Sequence, residues 1–359
     1  MVNLKKTIWL ILIIYTIIFP ISVIGADTSR SSIVMDLDSG RILYEKNSHQ
    51  KRLVASTTKI LTAITTIEKM DLDKQITVGE EVLKMYGTNI YIEIGEKITI
   101  KDLLYGLLLR SGNDAAVALA VAVSGSEENF VKLMNEKAQE IGMKDSIFQN
   151  PHGLDEKTKN YSTAYDMALL SQYAYQNKTY REIVGTKKYI VSTGNKTYLW
   201  YNRNKLLSSY KYCTGGKNGY TPSAGKTLVT TASKNNLNLT VVTLNDGNIY
   251  NTHQYLYEEM FHKYQNYKII DKNEFYMDQS FYNGTLYLND SFFYPLSENE
   301  LDEIKTRVSI SNNQAEGQVG NIFIYLGNQK IGDIPIYRKK VTKNISWLSK
   351  IRNLFTRKS

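Results

Sequence analysis

The stretch ASTTKILTAITTIEKM occupies residues 55–70 and joins a polar start to an apolar helical pattern. Its large apolar side chains recur at helical spacing, at Ile60, Leu61, Ile64 and Ile67. The pattern predicts a helix that begins at Ser56 or just before it. Because residues three apart share one face of a helix, Lys59 is expected beside the Ser56 hydroxyl. A serine becomes a nucleophile when a neighbour takes its proton, and a lysine whose pKa is lowered by burial or by a nearby cation can be that base.

The Ser56–Lys59 pair is a common one, and a solvated helix start explains it equally well. A second polar element stands at residues 110–114, which read RSGND and interrupt two helical stretches, 101–110 and 113–123. In such a break, Ser111 can relay a proton and Asn113 can hold a substrate amide. The alternative is an ordinary helix cap, since serine and asparagine are favoured there.

A third element, GGKNGYT at residues 215–221, leads into a strand pattern at Thr227. On an edge strand, small residues let an extended substrate lie alongside, and the Lys217 ammonium can face a carboxylate. The alternative is a polar, glycine-rich turn.

The remaining pattern predicts an α+β domain in which strands from both ends of the segment pair in one antiparallel sheet. Strands are predicted at 32–37, 41–44, 227–232 and 237–244, and further helices at 127–141, 165–175 and 252–264. Beyond Tyr267, a small all-β module is predicted, with strands at 282–288, 306–310, 320–326 and 329–336 and a hairpin loop at 326–329.

In order and spacing, the three polar elements resemble the S-x-x-K, S-x-N and K-T-G motifs of penicillin-binding proteins and serine β-lactamases. The segments 150–155 (NPHGLD), 202–207 and 219–225 are similar to those of D-alanyl-D-alanine carboxypeptidases of low molecular mass. The resemblance runs from about residue 30 to the end of the chain. It implies a serine transpeptidase/β-lactamase-like domain, a small β-domain and a C-terminal amphipathic helix. One position departs from the family pattern: Asn218 stands where threonine or serine is usual.

The resemblance also implies a reaction, the removal of the terminal D-Ala from peptidoglycan stem peptides, with β-lactam antibiotics as acylating inhibitors. Ser56 would form the acyl-enzyme, Lys59 would be the base, and Ser111 would shuttle a proton. The implied substrate-binding side chains are those of Asn113, Lys217, Arg203 and Thr221. The backbone N–H groups of Ser56 and Tyr220 would form the oxyanion hole. His152 would belong to a structural loop and have no catalytic role.

Three other functions stay open. A class A β-lactamase uses an additional glutamate for deacylation, and no Glu-x-x-Leu-Asn follows Ser111 at a suitable distance. A DD-endopeptidase or transpeptidase shares the acylation step and differs in the acceptor. A non-catalytic, penicillin-sequestering wall protein would be disabled at Asn218.

Composition argues against several classes of partner. The four histidines show no zinc-site spacing, and the single Cys213 can form neither a disulfide framework nor a thiolate cluster, so no metal or cofactor is expected. The net charge is +9, of which two positive charges lie in residues 1–26 and eight in residues 334–359, leaving −1 for the body between them. This distribution is unlike that of a nucleic-acid-binding surface.

Both ends carry separate signals. Lys5, Lys6 and the apolar run that follows them indicate an export signal over 1–26, with cleavage expected after Ala26; an uncleaved membrane anchor is the alternative. Residues 341–359 predict a basic amphipathic helix that binds an anionic membrane surface, or else packs on the body. Its apolar stripe comprises Trp347, Leu348, Ile351, Leu354 and Phe355. We therefore expect an exported protein, peripheral to the outer face of the cytoplasmic membrane or secreted, with a catalytic domain over 27–265 and a β-domain over 266–340.

Overall fold

The computed structural model describes residues 26–194, 196–277, 284–311 and 316–339. The chain divides into two compact units, one ending at His262 and the other beginning at Lys263. Apart from Ala26, the expected signal segment lies outside the described residues, as does the expected C-terminal helix. Among the described helices, none has the length and apolar character needed to cross a bilayer.

The first unit mixes helices and strands. Its strands are β1 Ser31–Asp36, β2 Ile42–Lys46, β3 Arg52–Leu53, β4 Gln75–Thr77, β5 Lys97–Thr99, β6 Tyr161–Ser162, β7 Lys188–Thr193, β8 Lys196–Tyr201, β9 Cys213–Thr221, β10 Gly225–Lys234 and β11 Leu237–Leu244. Its helices are α1 Lys59–Lys69, α2 Ile100–Tyr105, α3 Asn113–Ser124, α4 Glu127–Ile141, α5 Ala164–Gln176, α6 Lys178–Gly185, α7 Leu206–Ser209 and α8 Ile249–Lys263. The described residues of this unit also form two 3₁₀ turns, Ala55–Thr58 and Glu80–Lys84, and a π-helical turn, Gly106–Arg110.

The main sheet has five strands in the order β2-β1-β11-β10-β9. Strand β1 pairs antiparallel with β11, from Ser31 opposite Leu244 to Asp36 opposite Leu239. The predicted pairing of early and late strands in one antiparallel sheet is therefore confirmed. Strand β9 has a neighbour on one side only among the described strands, so its other edge pairs with none of them.

The helical cluster forms the main apolar core of the first unit. Helix α1 buries Ile60, Leu61 and Ile64 completely, and α3 is alanine-rich, which lets neighbouring helices approach closely. Helix α4 begins where the Ser126 side chain accepts from Asn129 N–H and ends at Gly142 in a left-handed conformation. The core brings the start of α1 and the start of α3 together beside the sheet.

Two backbone irregularities lie where the sequence predicted plain helix. Ser56 belongs to a 3₁₀ turn entered through Ala55, whose φ of 47° is left-handed, and the α-helix itself starts at Lys59. The predicted helix 101–110 is a short α-helix followed by a π turn, after which Ser111 adopts a φ of 66°. Both features redirect polar side chains at the ends of helices, as strained or irregular backbone often does at functional sites.

Between Gln265 and Lys339, the described residues of the second unit form strands and one 3₁₀ turn, which confirms the predicted module. Its strands are β12 Gln265–Ile270, β13 Thr285–Tyr287, β14 Phe292–Leu296, β15 Ile304–Ile310, β16 Gly317–Leu326 and β17 Gln329–Lys339. Strands β13, β17, β16 and β15 form one sheet in that order, and β12 pairs with β14. The hairpin predicted at 326–329 is confirmed by the pairing of Leu326 with Gln329. A small apolar core that includes Leu286, Ile322, Ile324 and Ile336 holds the four-stranded sheet together.

Candidate active site

Ser56 and Lys59 lie at the junction between the 3₁₀ turn and α1. The Ser56 side chain is partly exposed, whereas Lys59 is fully buried. Lys59 Nζ lies 3.2 Å from Ser56 Oγ, within hydrogen-bond distance. The turn therefore offers the hydroxyl to solvent and places the amine behind it, which is the arrangement a base needs relative to its nucleophile.

The other contacts of Lys59 determine how its amine is oriented. Nζ donates to Asn113 Oδ1 at 2.7 Å and to the backbone carbonyl of His152. The Asn113 amide cannot turn freely, because its Nδ2 donates to the Tyr86 carbonyl at 2.7 Å. Asn113 Oδ1 and the His152 carbonyl oxygen can therefore only accept hydrogen bonds from Nζ. A neutral amine has two N–H donors and one lone pair, so with both donors used on these carbonyls the lone pair faces Ser56 Oγ–H.

Burial and neighbouring positive charges favour the neutral form of the Lys59 amine. The pKa of Lys59 lies well below its ordinary value because the side chain is removed from water and because Lys217 and Arg203 are close; Asp114 opposes the shift. Burial and Arg203 together lower the pKa of Lys217 to about 7. The site thus concentrates cationic groups, which favours an anionic substrate and a neutral Lys59.

The irregular turn before α3 positions the second polar element. Ser111, left-handed and buried, separates the π turn from Asn113. The backbone N–H of Asn113 donates to the Thr88 carbonyl at 2.8 Å. The neighbouring Asp114 carboxylate accepts the N–H groups of Ile90 at 3.0 Å and of Tyr91 at 2.7 Å, which fixes the 85–92 loop against the start of α3.

The edge strand β9 carries the third polar element directly against the serine turn. A Cβ on Gly219 would lie 2.8 Å from the Ser56 backbone nitrogen and 2.5 Å from Thr227 Oγ1, so only glycine allows this approach. Lys217 is buried, and its Nζ donates to the Asn218 carbonyl at 2.6 Å. Asn218 is partly exposed and the Tyr220 side chain is exposed, so both positions are open to solvent.

Arg203 and Thr221 lie at the borders of this region. Arg203 is exposed and donates from Nη1 to Thr88 Oγ1 at 3.1 Å. Thr221 ends β9, and its hydroxyl donates to Asp155 Oδ2 at 2.6 Å while it accepts from Ala224 N–H at 3.0 Å. The only hydroxyl proton of Thr221 is therefore already used within the protein.

The described residues offer no set of three or more His, Cys, Asp and Glu side chains able to hold a metal ion. Burial raises the pKa of the Cys213 thiol to about 11, so this side chain stays protonated at neutral pH.

Comparisons with known proteins identify the relatives of this chain. A family model described as D-alanyl-D-alanine carboxypeptidase matches residues 23–248, and one described as penicillin-binding protein 5, C-terminal domain, matches residues 264–343. The chain belongs to the D-alanyl-D-alanine carboxypeptidase family. The family expected from the sequence motifs, and with it the expected two-domain fold, is thereby confirmed.

Three relatives illustrate the range of similarity within the carboxypeptidase family. The carboxypeptidase DacF of Bacillus subtilis is 38% identical over a segment that covers 59% of this chain and 56% of that protein, so the match spans a little over half of its length. DacD of Escherichia coli is 26% identical over 92% of this chain and 90% of its own. The crystal structure of penicillin binding protein 5 from Haemophilus influenzae is 26% identical, with a TM-score of 0.73 over 88% of this chain and 97% of its own.

Some contributors to this carboxypeptidase-like site were not identified from the sequence. The His152 carbonyl and the Tyr86 carbonyl are backbone groups, which leave no mark on residue type. The His152 side chain points elsewhere: Nδ1 accepts from Leu154 N–H at 3.1 Å, and Nε2 lies 3.5 Å from Glu127 Oε1. For Asp114, which fixes the 85–92 loop, the sequence offers one indication, its position directly after the motif Ser111–Asn113.

Proposed function

We propose that this chain is a serine-type D-Ala-D-Ala carboxypeptidase that removes the terminal D-Ala from peptidoglycan stem peptides through an acyl-enzyme on Ser56. The observation that carries the proposal is the position of Lys59 Nζ. It is fully buried, 3.2 Å from Ser56 Oγ, and its other two contacts are acceptors. This arrangement directs a basic lone pair at the hydroxyl of Ser56, a residue that is partly exposed.

In the proposed acylation, the terminal carboxylate of the substrate faces Lys217 and Arg203, while Asn113 holds a substrate amide. Lys59 takes the Ser56 proton as Oγ attacks the carbonyl carbon of the penultimate residue. The backbone N–H groups of Ser56 and Tyr220 stabilise the oxyanion, where a single donor is typically worth about 2.7–4 kcal/mol. Ser111 gives its proton to the departing nitrogen and regains one from the Lys59 ammonium, which becomes neutral again; the C–N bond breaks, and D-Ala leaves.

Deacylation completes the proposed cycle. Lys59 takes a proton from a water molecule, which attacks the acyl-enzyme ester. The C–O bond to Ser56 breaks, and the serine oxygen recovers its proton. The same first step accounts for acylation by penicillins, whose strained amide is opened by Ser56 without loss of a leaving group.

The proposal is tested by incubating the purified protein with a fluorescent penicillin and, separately, with a stem peptide ending in D-Ala-D-Ala. Covalent label at Ser56 and release of D-Ala are expected from the wild type, and neither from Ser56→Ala. Ser192→Ala, a substitution of an exposed serine on β7, is the matched control and keeps both activities. Absence of label in the wild type would contradict the proposed acyl-enzyme.

The same experiment separates the alternative functions. Label without D-Ala release favours a penicillin-sequestering wall protein, and rapid turnover of the penicillin favours a β-lactamase. Transfer of the acyl group to an amine, or cleavage of cross-linked dimers, favours a transpeptidase or an endopeptidase. The carboxypeptidase is preferred because the carboxypeptidase family model matches residues 23–248 and the model of the penicillin-binding protein 5 C-terminal domain matches residues 264–343.

We further propose the domain assignment and location expected from the sequence: catalytic residues 27–265, a β-domain over 266–340, and an exported protein held at the outer face of the membrane by residues 341–359. The basic, tryptophan-containing sequence of that tail supports the proposal. Truncation at about residue 340 is expected to release the processed protein from vesicles containing anionic lipid. Binding that persists after truncation would contradict the membrane role of the tail.

A further inference from the structure

The loop 150–155 lies beside the serine turn and is held by hydrogen bonds within itself. Asn150 Oδ1 accepts from Gly153 N–H at 2.6 Å, and its Nδ2 donates to the Leu154 carbonyl at 2.9 Å. Gly153 has a φ of 88°, and a Cβ on it would lie 2.0 Å from the Ala55 carbonyl oxygen. The loop therefore lies in direct contact with the turn that carries Ser56, and its own hydrogen bonds fix its shape.

The middle and the end of this loop form hydrogen bonds with different parts of the candidate site. The His152 carbonyl accepts from Lys59 Nζ, whereas Asp155 Oδ2 accepts from Thr221 Oγ1 at 2.6 Å across 66 residues of sequence. The Thr221 hydroxyl also accepts from Ala224 N–H, so it fixes the turn that follows β9. One short loop thus connects the base to the end of the edge strand.

The position of that strand end has a direct chemical consequence. Thr221 follows Tyr220, whose N–H is the proposed oxyanion donor, and Gly219, which lies against the Ser56 backbone. On this side of β9 there is no further described strand, and the hydrogen bond between Thr221 and Asp155 adds to the one from Thr227 Oγ1 on β10 to the Val54 carbonyl, at 3.0 Å, in holding the sheet close to the serine turn. Misplacement of a catalytic group by about 1 Å can cost about 10²-fold in rate.

We propose that Asp155 is a positioning residue that fixes the oxyanion donor of Tyr220 relative to Ser56, through its hydrogen bond with Thr221. This inference rests on the proposed function, since it assigns a task within that reaction. It also gives Thr221 a different task from the one implied by family resemblance. The hydroxyl proton of Thr221 is held by Asp155, so it cannot at the same time be donated to a substrate carboxylate.

The test compares acylation by a chromogenic penicillin in full-length Asp155→Ala, Thr221→Val and the double variant. Each single substitution is expected to lower the limiting acylation rate about tenfold while the dissociation constant for the penicillin changes little. The double variant should be no slower than either single one, because both remove the same hydrogen bond. Thr221→Ser and Asp155→Asn, which keep a hydroxyl and an acceptor oxygen, are expected to stay within about threefold of wild type.

Thr214→Val is the matched control. Thr214 and Thr231 hydroxyls lie 2.7 Å apart at the other end of the same strand pair, so this substitution removes a comparable hydrogen bond far from Ser56. It should leave the acylation rate unchanged. Melting temperatures of all variants identify any that fail to fold, and if one of the two single substitutions does so, the other, which removes the same hydrogen bond, carries the test.

The outcomes separate the two proposals. A wild type labelled at Ser56, with Asp155→Ala acylated at the same rate, overturns the positioning role alone. A change confined to the dissociation constant in Thr221→Val overturns it too, because that result means that Thr221 contacts the ligand. A wild type that takes no label overturns the proposed function and this role with it.

Discussion

Substitution of Gly219 by alanine tests how closely β9 must approach the nucleophile. The added Cβ would lie 2.8 Å from the Ser56 nitrogen, whereas ordinary contacts of Cβ atoms begin at 3.4 Å. The strand must therefore retreat by about 0.6 Å, and the neighbouring Tyr220 N–H must move with it. If a displacement of about 1 Å costs about 10²-fold, a shift of this size should cost about 10- to 30-fold in acylation rate. Complete loss of one oxyanion donor, about 10²–10³-fold, is the upper limit.

The assay is the limiting rate of acylation by a chromogenic penicillin, followed by stopped flow, with the melting temperature of each variant measured in parallel. Gly247→Ala is the control, because a Cβ at that exposed position would have no neighbour within 4 Å. A folded Gly219→Ala variant that acylates within twofold of wild type would refute the reasoning. That result would mean that the serine turn and β9 can separate without harm to the oxyanion site.

Three further predictions concern the charged and polar groups of the site. Lys59→Arg should lower acylation by at least about 10³-fold, because a guanidinium does not give up its proton, while Lys69→Arg at the exposed end of the same helix should have no effect on labelling by fluorescent penicillin. Because the pKa of Lys217 is about 7, its charge is lost as pH rises through that value, so kcat/KM for a peptide with a free terminal carboxylate should fall above pH 7. The C-terminally amidated peptide should be slower throughout and should lack this fall; the same fall for both peptides would contradict the role of Lys217. Asn218→Thr should raise D-Ala release about two- to tenfold, the value of one improved hydrogen bond, and unchanged turnover would show that the departure from the family motif is harmless.

Much of the fold could be predicted because its helices and strands are strongly patterned. The helix 127–141 and the strand 237–244 have the predicted bounds, and of the predicted apolar positions of α1, Ile60, Leu61 and Ile64 are fully buried and Ile67 is partly buried. Helix α6 and the β7–β8 hairpin were missed. Their sequences, KTYREIVG and KYIVST with KTYLWY, are only eight, six and six residues long, which is too short for periodicity alone to separate a helix from a strand.

The site was predictable as a set of side chains but not as a geometry. Residue types identified Ser56, Lys59, Ser111, Asn113 and Lys217 through their motifs. The carbonyls of His152 and Tyr86, which orient the amine and the amide, belong to the backbone and depend on tertiary packing. The same is true of the left-handed Ala55, because nothing in the local sequence requires an alanine to adopt that conformation.

The open edge of β9 bears on how the protein behaves in concentrated solution. Unpaired strand edges readily recruit other extended chains, and long, apolar edges lead to aggregation. Here the edge contains Gly215, Gly216 and Gly219 together with a lysine and an asparagine, which are residue types depleted in strands. Gly216, with a φ of 145°, also departs from regular strand geometry. In the proposed reaction, such an edge receives a short peptide whose carboxylate faces Lys217 and Arg203, yet it is a poor template for the indiscriminate pairing that would cover Ser56.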